Sequence, residues 1–154
     1  MRLDIIDDDS YKIFINSNYI EDIDVKNKDE LGKIVKEIII KIKNIYNIML
    51  EGFYEVHVYP LKYLGIILEI RNIDNYLNKT VDLRIIVHND EEIYINIYLL
   101  ELIKNYKNIK YLNNSFYLNI NDLKKEDVYS LIESSNIIYG EELSNIKSHW
   151  HNLT

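Results

Sequence analysis

Two strand-length apolar runs open the chain, and the cluster between them leaves little choice of connection. Residues 1–20 read M-R-L-D-I-I-D-D-D-S-Y-K-I-F-I-N-S-N-Y-I. Leu3 to Ile6 is the first run, Asp7–Asp9 the turn, Tyr11 to Ile15 the second run, and Asn16–Asn18 the break that ends it. Apolar runs of this length around an acidic turn predict a β-hairpin. The segment contains no catalytic motif.

A helix is predicted next, from near Glu30, capped by Asp29 or Asn27. Its stripe is Leu31, Ile34, Val35, Ile38, Ile42, Ile45 and Met49, in the steps of three and four that put side chains on one helix face. Lys33, Lys36, Glu37, Lys41 and Lys43 take the other faces. Early acids and later lysines suit the helix dipole. Gly52 is read as the end of that element. Phe53 to Tyr59 and Ile66 to Arg71 then alternate with period two, joined by Pro60 to Gly65. Residues 1–71 therefore read ββαββ.

Asn72 to Thr80 has no clean period and is read as a linker. This divides the chain into an N-terminal unit, 1–74, and a C-terminal unit, 80–154. In the second unit Val81 to Val87 alternates as a strand. A helix capped by Asn89 or Asp90 is expected to carry Ile93, Ile97, Leu100 and Ile103. Asn108 to Leu112 and Ser115 to Ile120 read as a hairpin, with Asn113–Asn114 suited to the positive φ of its tight turn. Asp122 is read as the cap of a helix carrying Val128, Leu131 and Ile132. Ile137 to Tyr139 is a last short strand, stopped by Gly140, and the tail has room for a further helical turn. The expected fold class is α+β: a ββαββ unit followed by a ferredoxin-like β-α-β-β-α-β unit.

Composition narrows the function classes. The chain has 154 residues, 47% of them hydrophobic, which is enough for a real core. Its 29 Ile, 19 Asn and 14 Tyr, with no Ala or Gln and 15 Lys against 3 Arg, carry the mark of an AT-rich coding sequence. Clusters of Asn or Tyr are therefore no ligand signal by themselves. The formal charge is −7, spread over both halves, so neither half offers a basic face to phosphate, and nucleic acid is not an expected partner. No apolar run reaches the ~20 residues that span a bilayer, the N-terminus lacks signal-peptide character, and there is no cysteine. A cytoplasmic protein without membrane contact is the expectation.

Each candidate for chemistry has a plainer account. Asp7, Asp8 and Asp9 lack the alternating oxygens, the glycine and the distal Glu of a calcium loop, and read as a solvated turn. His149-Trp150-His151 lacks metal-site spacing or a cysteine, and Trp150 reads as an anchor packing the tail onto the body. His57 and His88 fall on polar-facing strand positions with no nucleophile motif nearby, and read as surface residues. Glu55, Glu69 and Arg71 read as cross-strand charge partners rather than a catalytic carboxylate pair. Gly32, Gly52, Gly65 and Gly140 are too far apart for a phosphate loop. An RNA-recognition module would need a basic, glycine-containing third strand, where this chain has S-F-Y-L-N-I. No catalytic, cofactor-binding or metal residue is assigned, and no enzyme activity is expected.

The segments, taken in order, resemble the MecA-type adaptor family, the negative regulators of competence in Gram-positive bacteria. The family's start runs M-x-I-E-R-I-N-x-x-T-I-K-V-x-I-S-x-x-D-L. Leu3, Asp4, Ile6, Asp7, Ser10, Lys12, Ile13, Ile15 and Ile20 follow it without a gap, whereas Ile5 stands at its usual basic position and Tyr19 at its usual Asp. The second unit's I-K-Y-L-N-N-S-F-Y-L, Ile109 to Leu118, is similar to the family's L-Y-x-x-x-G-x-Y-Y-L hairpin, and L-I-E-S-S-N-I-I-Y-G follows where the family ends a helix in S-E-[YF]-G. The family's long acidic linker is absent. The resemblance implies an adaptor in regulated proteolysis, with no cofactor: the first unit would hold a substrate protein, the second a ClpC-type AAA+ unfoldase of the Clp protease. It assigns no individual contact residues. A small-molecule-sensing regulatory domain of ferredoxin-like type is the alternative reading. The feature that would favour it, a Gly- or Asp-rich loop after the unit's first strand, is here the plain helix cap His88-Asn89-Asp90.

Overall fold

The computed structural model describes residues 2–7, 9–16, 28–47, 52–61, 64–74, 81–89, 91–97, 101, 104–132 and 135–152. Asp8, Asn27, Met49, Asp90, Leu100, Ile103, Tyr19, Ile20 and most of the expected linker lie outside the described residues. The fold is mixed α+β with two five-stranded sheets. The chain divides into two compact units, Met1–Pro60 with Gly65–Asn89, and Leu61–Leu64 with Asp90–Thr154.

The first unit runs β1 (Arg2–Asp7), β2 (Ser10–Asn16), α1 (Lys28–Tyr46), β3 (Gly52–Leu61), β4 (Gly65–Asp74) and β5 (Val81–Val87). Its sheet has the order β1-β2-β4-β3-β5. The opening hairpin pairs Leu3 with Ile13 and Asp4 with Lys12. β2 lies antiparallel to β4, setting Ile13 opposite Leu68 and Lys12 opposite Glu69. One face of the sheet takes the stripe of α1: Leu31, Val35, Ile38, Ile39 and Ile42 pack with Ile13, Ile15, Tyr54, Val56, Val58, Ile66, Leu68 and Ile70. Burial of this apolar surface is the main stabilising term, at roughly 1.5–3 kcal/mol for each large side chain removed from water. The stripe departs from expectation at its end. Ile39 belongs to it, whereas Ile45 in the last turn is 64% exposed. The helix stops at Asn47, which adopts φ 52°. A left-handed residue, Asn or Gly, is a common helix terminator, so Asn47 rather than Gly52 ends this one.

Gly65 is dictated by backbone proximity. At φ +135°, a Cβ there would lie 1.9 Å from the carbonyl oxygen of Ile15. Only glycine lets β4 begin directly against β2.

β5 corrects the expected organisation. Val81–Val87 does not start the second unit. It pairs in parallel with β3, setting Glu55 opposite Arg84 and Val58 opposite Val87. Helix α1 accommodates it at Gly32, where an added Cβ would lie 3.7 Å from Ile85 Cδ1. The division between units therefore falls after Asn89, not between residues 74 and 80. A parallel partner is joined through a distant connection, so no local signal in the sequence marks it.

The second unit contains β6 (Ile93–Ile97), β7 (Lys110–Leu112), β8 (Ser115–Asn119), 3₁₀ turns at Ile120–Asp122 and Lys125–Asp127, α2 (Val128–Ile132), β9 (Ile137–Tyr139), α3 (Gly140–Lys147) and β10 (His151–Asn152). Its sheet order is β10-β7-β8-β6-β9. The segment expected as a helix from Ile93 is the strand β6, antiparallel to both β8 and β9. All five of its residues are buried. Ile93, Ile95 and Ile97 alternate with Tyr94 and Asn96, but Ile93 and Ile97 also fit a helical step, and in so short a run periodicity cannot separate strand from helix. Asn113 and Asn114 take φ 49° and 63° in the tight turn between β7 and β8. The 3₁₀ turns displace the helix start expected at Asp122. Gly140, at φ +64°, ends β9 as expected and begins α3, which fills the tail where a further helical turn is expected. No helix among the described residues is long and apolar enough to cross a membrane.

Candidate functional site

In the first unit two features go beyond packing: the outer edge of β1 and a cluster of ionisable groups on β3 and β5. β1 pairs with β2 and, among the described residues, with no other strand, so one row of its backbone groups has no sheet partner. The ladder is irregular between Ile5 and Asp7, as at a β-bulge. Ile5 is 67% and Ile6 52% exposed. Edge strands are ordinarily guarded by charge, and two exposed isoleucines side by side are the reverse of that arrangement. Acids flank them. Asp4 accepts a hydrogen bond from Arg2 Nε at 3.1 Å, and the Asp7 carboxylate accepts one from the backbone N–H of Asp9 at 2.8 Å. The acidic turn is thus partly closed by its own side chain, as in an Asx turn.

The second feature lies on the sheet face opposite α1. Tyr54, Val56 and Val58 face the helix, so the alternation of β3 sends Glu55, His57 and Tyr59 to the other side. The parallel register brings Arg84 beside Glu55, and His88, the residue after its last pair, stacks on Tyr59. Glu55 Oε1 lies 2.7 Å from His57 Nε2, and His57 Nδ1 lies 2.7 Å from His88 Nε2. Arg84 stands 4.0 Å from the other Glu55 oxygen, and the Tyr59 ring lies on that of His88 with centroids 4.6 Å apart and planes 10° apart. The backbone N–H of His88 donates to Val58 O at 2.8 Å. The hydrogen bond from His57 holds the Glu55 carboxyl below its ordinary range, aided by the charges of His57, Arg84 and Arg71 and opposed by desolvation.

The sequence reads His57 and His88 as surface residues on polar-facing strand positions. The structure brings them into direct contact, His57 Nδ1 against His88 Nε2, with Glu55 on the far side of His57, although 31 positions separate them. The signal that would have found them is the β3–β5 pairing. Glu55 is partnered by His57 and Arg84, while Glu69 stands directly opposite Lys12. The other candidates lie apart from this cluster in sequence and role. His149 and His151 are exposed, and the latter sits in β10, paired with Tyr111. Trp150 packs against Tyr94 and Tyr117, with ring centroids at 4.7 and 6.2 Å. Among the described residues no group of three or more His, Cys, Asp or Glu side chains is arranged to hold a metal ion.

No protein-family model, no curated protein and no solved structure matches this chain.

Proposed function

We propose that this chain is a non-enzymatic adaptor: its first unit holds a segment of a substrate protein, and its second engages a ClpC-type AAA+ unfoldase for regulated proteolysis. The observation that carries the protein-binding part is the free edge of β1 with Ile5 and Ile6 exposed on it. An edge strand of this kind accepts an extended segment by main-chain hydrogen bonding, with side-chain contacts setting the choice of partner. Asp4, Asp7 and Asp9 around it favour a partner segment with basic flanks. The unfoldase as second partner rests on the resemblance of Leu3 to Ile20 to the MecA-type start, much of which forms this same hairpin. Two modest interfaces on one chain raise the local concentration of substrate at the unfoldase without any bond being broken by the adaptor.

The ferredoxin-like reading of the second unit starts one strand later than the sequence suggested. The order β7-β8-β6-β9, antiparallel throughout, supports a split β-α-β-β-α-β arrangement with β6 as its first strand and α2 as its second helix. β10 extends it at the β7 edge.

Size-exclusion chromatography with a ClpC-type unfoldase and ATP tests the function. Co-elution with raised ATP turnover is expected. Separate elution with unchanged turnover would remove the unfoldase from the account.

A further inference from the structure

We propose that Glu55, His57 and His88 form a proton-operated clasp. It fastens the end of β5 to β3 while the two imidazoles hold at most one extra proton, and lets go when both are fully protonated. This does not depend on the adaptor reading.

Geometry places a single hydrogen between the rings. Their planes differ by 18° and their centroids are 5.0 Å apart, while the facing nitrogens are 2.7 Å apart. The centroid separation is what two rings give when they meet nitrogen to nitrogen along one line. It is not the separation of one ring lying over the other. The contact is therefore an in-plane N–H···N hydrogen bond, and the neighbours assign its direction. Glu55, a carboxylate, can only accept, so His57 Nε2 carries a hydrogen and donates it. In a neutral imidazole the other nitrogen then accepts. His57 Nδ1 thus receives the hydrogen on His88 Nε2, leaving His88 Nδ1 with a free lone pair.

A first added proton fits this arrangement. On His88 Nδ1 it makes an imidazolium that still donates from Nε2 to His57, and the ring lies against Tyr59, whose face favours a cation. Glu55 balances the charge from the far side of His57. A second proton has only His57 Nδ1 to occupy. Two N–H groups would then point at each other across a gap that one hydrogen already fills, with no acceptor between them. Two positive charges would share that gap, and Arg84 and Arg71 raise the positive potential at Glu55 from β5 and β4. Glu69 and Lys12, farther along the same face, stand opposite each other, and Asp82 lies at the far end of β5 opposite Phe53, six residues from His88. The contact must open.

What opens is set by position. The last β3–β5 register pair is Val58 with Val87, and His88 follows immediately. β5 is a sheet edge held by β3 alone among the described strands, while its middle packs on α1 at Ile85. Release is therefore local to the end that carries His88, and the core under α1 is not involved.

Amide hydrogen exchange by NMR, corrected for intrinsic rates, tests this on the full chain. Between about pH 7.5 and about pH 5, on either side of the ordinary histidine range, protection at the His88 amide is expected to fall roughly tenfold more than at Ile13 in β2. In His88→Gln, whose side chain keeps a donor but cannot take the proton, this excess loss should vanish. Imidazole ¹⁵N spectra of the wild type at the higher pH should show His57 protonated at Nε2 and His88 at Nε2. Equal loss at His88 and Ile13 in the wild type, an undiminished excess in His88→Gln, or the opposite tautomer at either ring would overturn the clasp.

Discussion

Glu55 carries a pH signature that unfolding measurements can read. Its folded-state carboxyl is held below the ordinary value of 4.5, chiefly by the hydrogen bond from His57. A group depressed on folding contributes stability that is fully present above its unfolded value and disappears as the pH falls through the folded one. Wild-type stability relative to Glu55→Gln should therefore decline as the pH drops below about 4.5, ending beneath the depressed folded value. Urea unfolding of both proteins across that range measures it, and parallel curves would contradict the ion pair. Trp150 supplies a second residue-level test. It is half-buried between Tyr94 and Tyr117 and packs with Leu112 and Ile146 against the small core of the second unit. Trp150→Ala should cost about 1–3 kcal/mol, less than the 3–5 of a fully buried aromatic, as read by thermal or urea unfolding followed by circular dichroism.

At the scale of elements, glycine and helix face decide more than propensity. Gly65→Ala forces a Cβ into the Ile15 carbonyl and demands a φ that alanine avoids. The expected cost is on the order of 2–4 kcal/mol. Gly140→Ala has open space and bears only the positive φ, so about 1 kcal/mol is expected. A chemical-denaturation series comparing the two separates steric clash from backbone strain. Leu31→Ala, at the centre of the α1 stripe, should cost about 2–5 kcal/mol. Legibility in the sequence follows the same physics. The opening hairpin, α1, the β3 and β4 alternation and the Asn113–Asn114 turn were readable because each is encoded by neighbours in the chain. β6 was not, because the alternation of Ile93, Ile95 and Ile97 spans only five residues, and Ile93 and Ile97 fit a helical spacing equally well. Ile45 was not, because a continuing stripe does not reveal where the surface beneath it ends.

Across the whole molecule, the misread boundary and the missed histidine cluster share one cause. β5 follows β4 in sequence, where a linker between units is expected, but joins β3 in space, and a parallel pairing between distant segments leaves no local trace. The same pairing brings His88 to His57 and Glu55. The free β1 edge was partly legible: the hairpin could be read, but its place at the rim of the sheet could not. If that edge receives a partner's strand, Ile5→Lys should weaken substrate-protein binding at least tenfold. Folding stability should stay within about 0.5 kcal/mol, as for other exposed positions. Parallel binding assays and denaturation curves on the variant separate the two effects.

The most direct measurement of the adaptor account is ATP turnover by a ClpC-type unfoldase, with co-elution from a sizing column, in the presence of the wild-type chain and of Ile5→Lys. The account assigns the unfoldase contact to the second unit, so it predicts that both proteins co-elute and raise turnover, and that only the wild type brings a substrate protein into the complex. A wild-type chain that neither co-elutes nor changes turnover would contradict it.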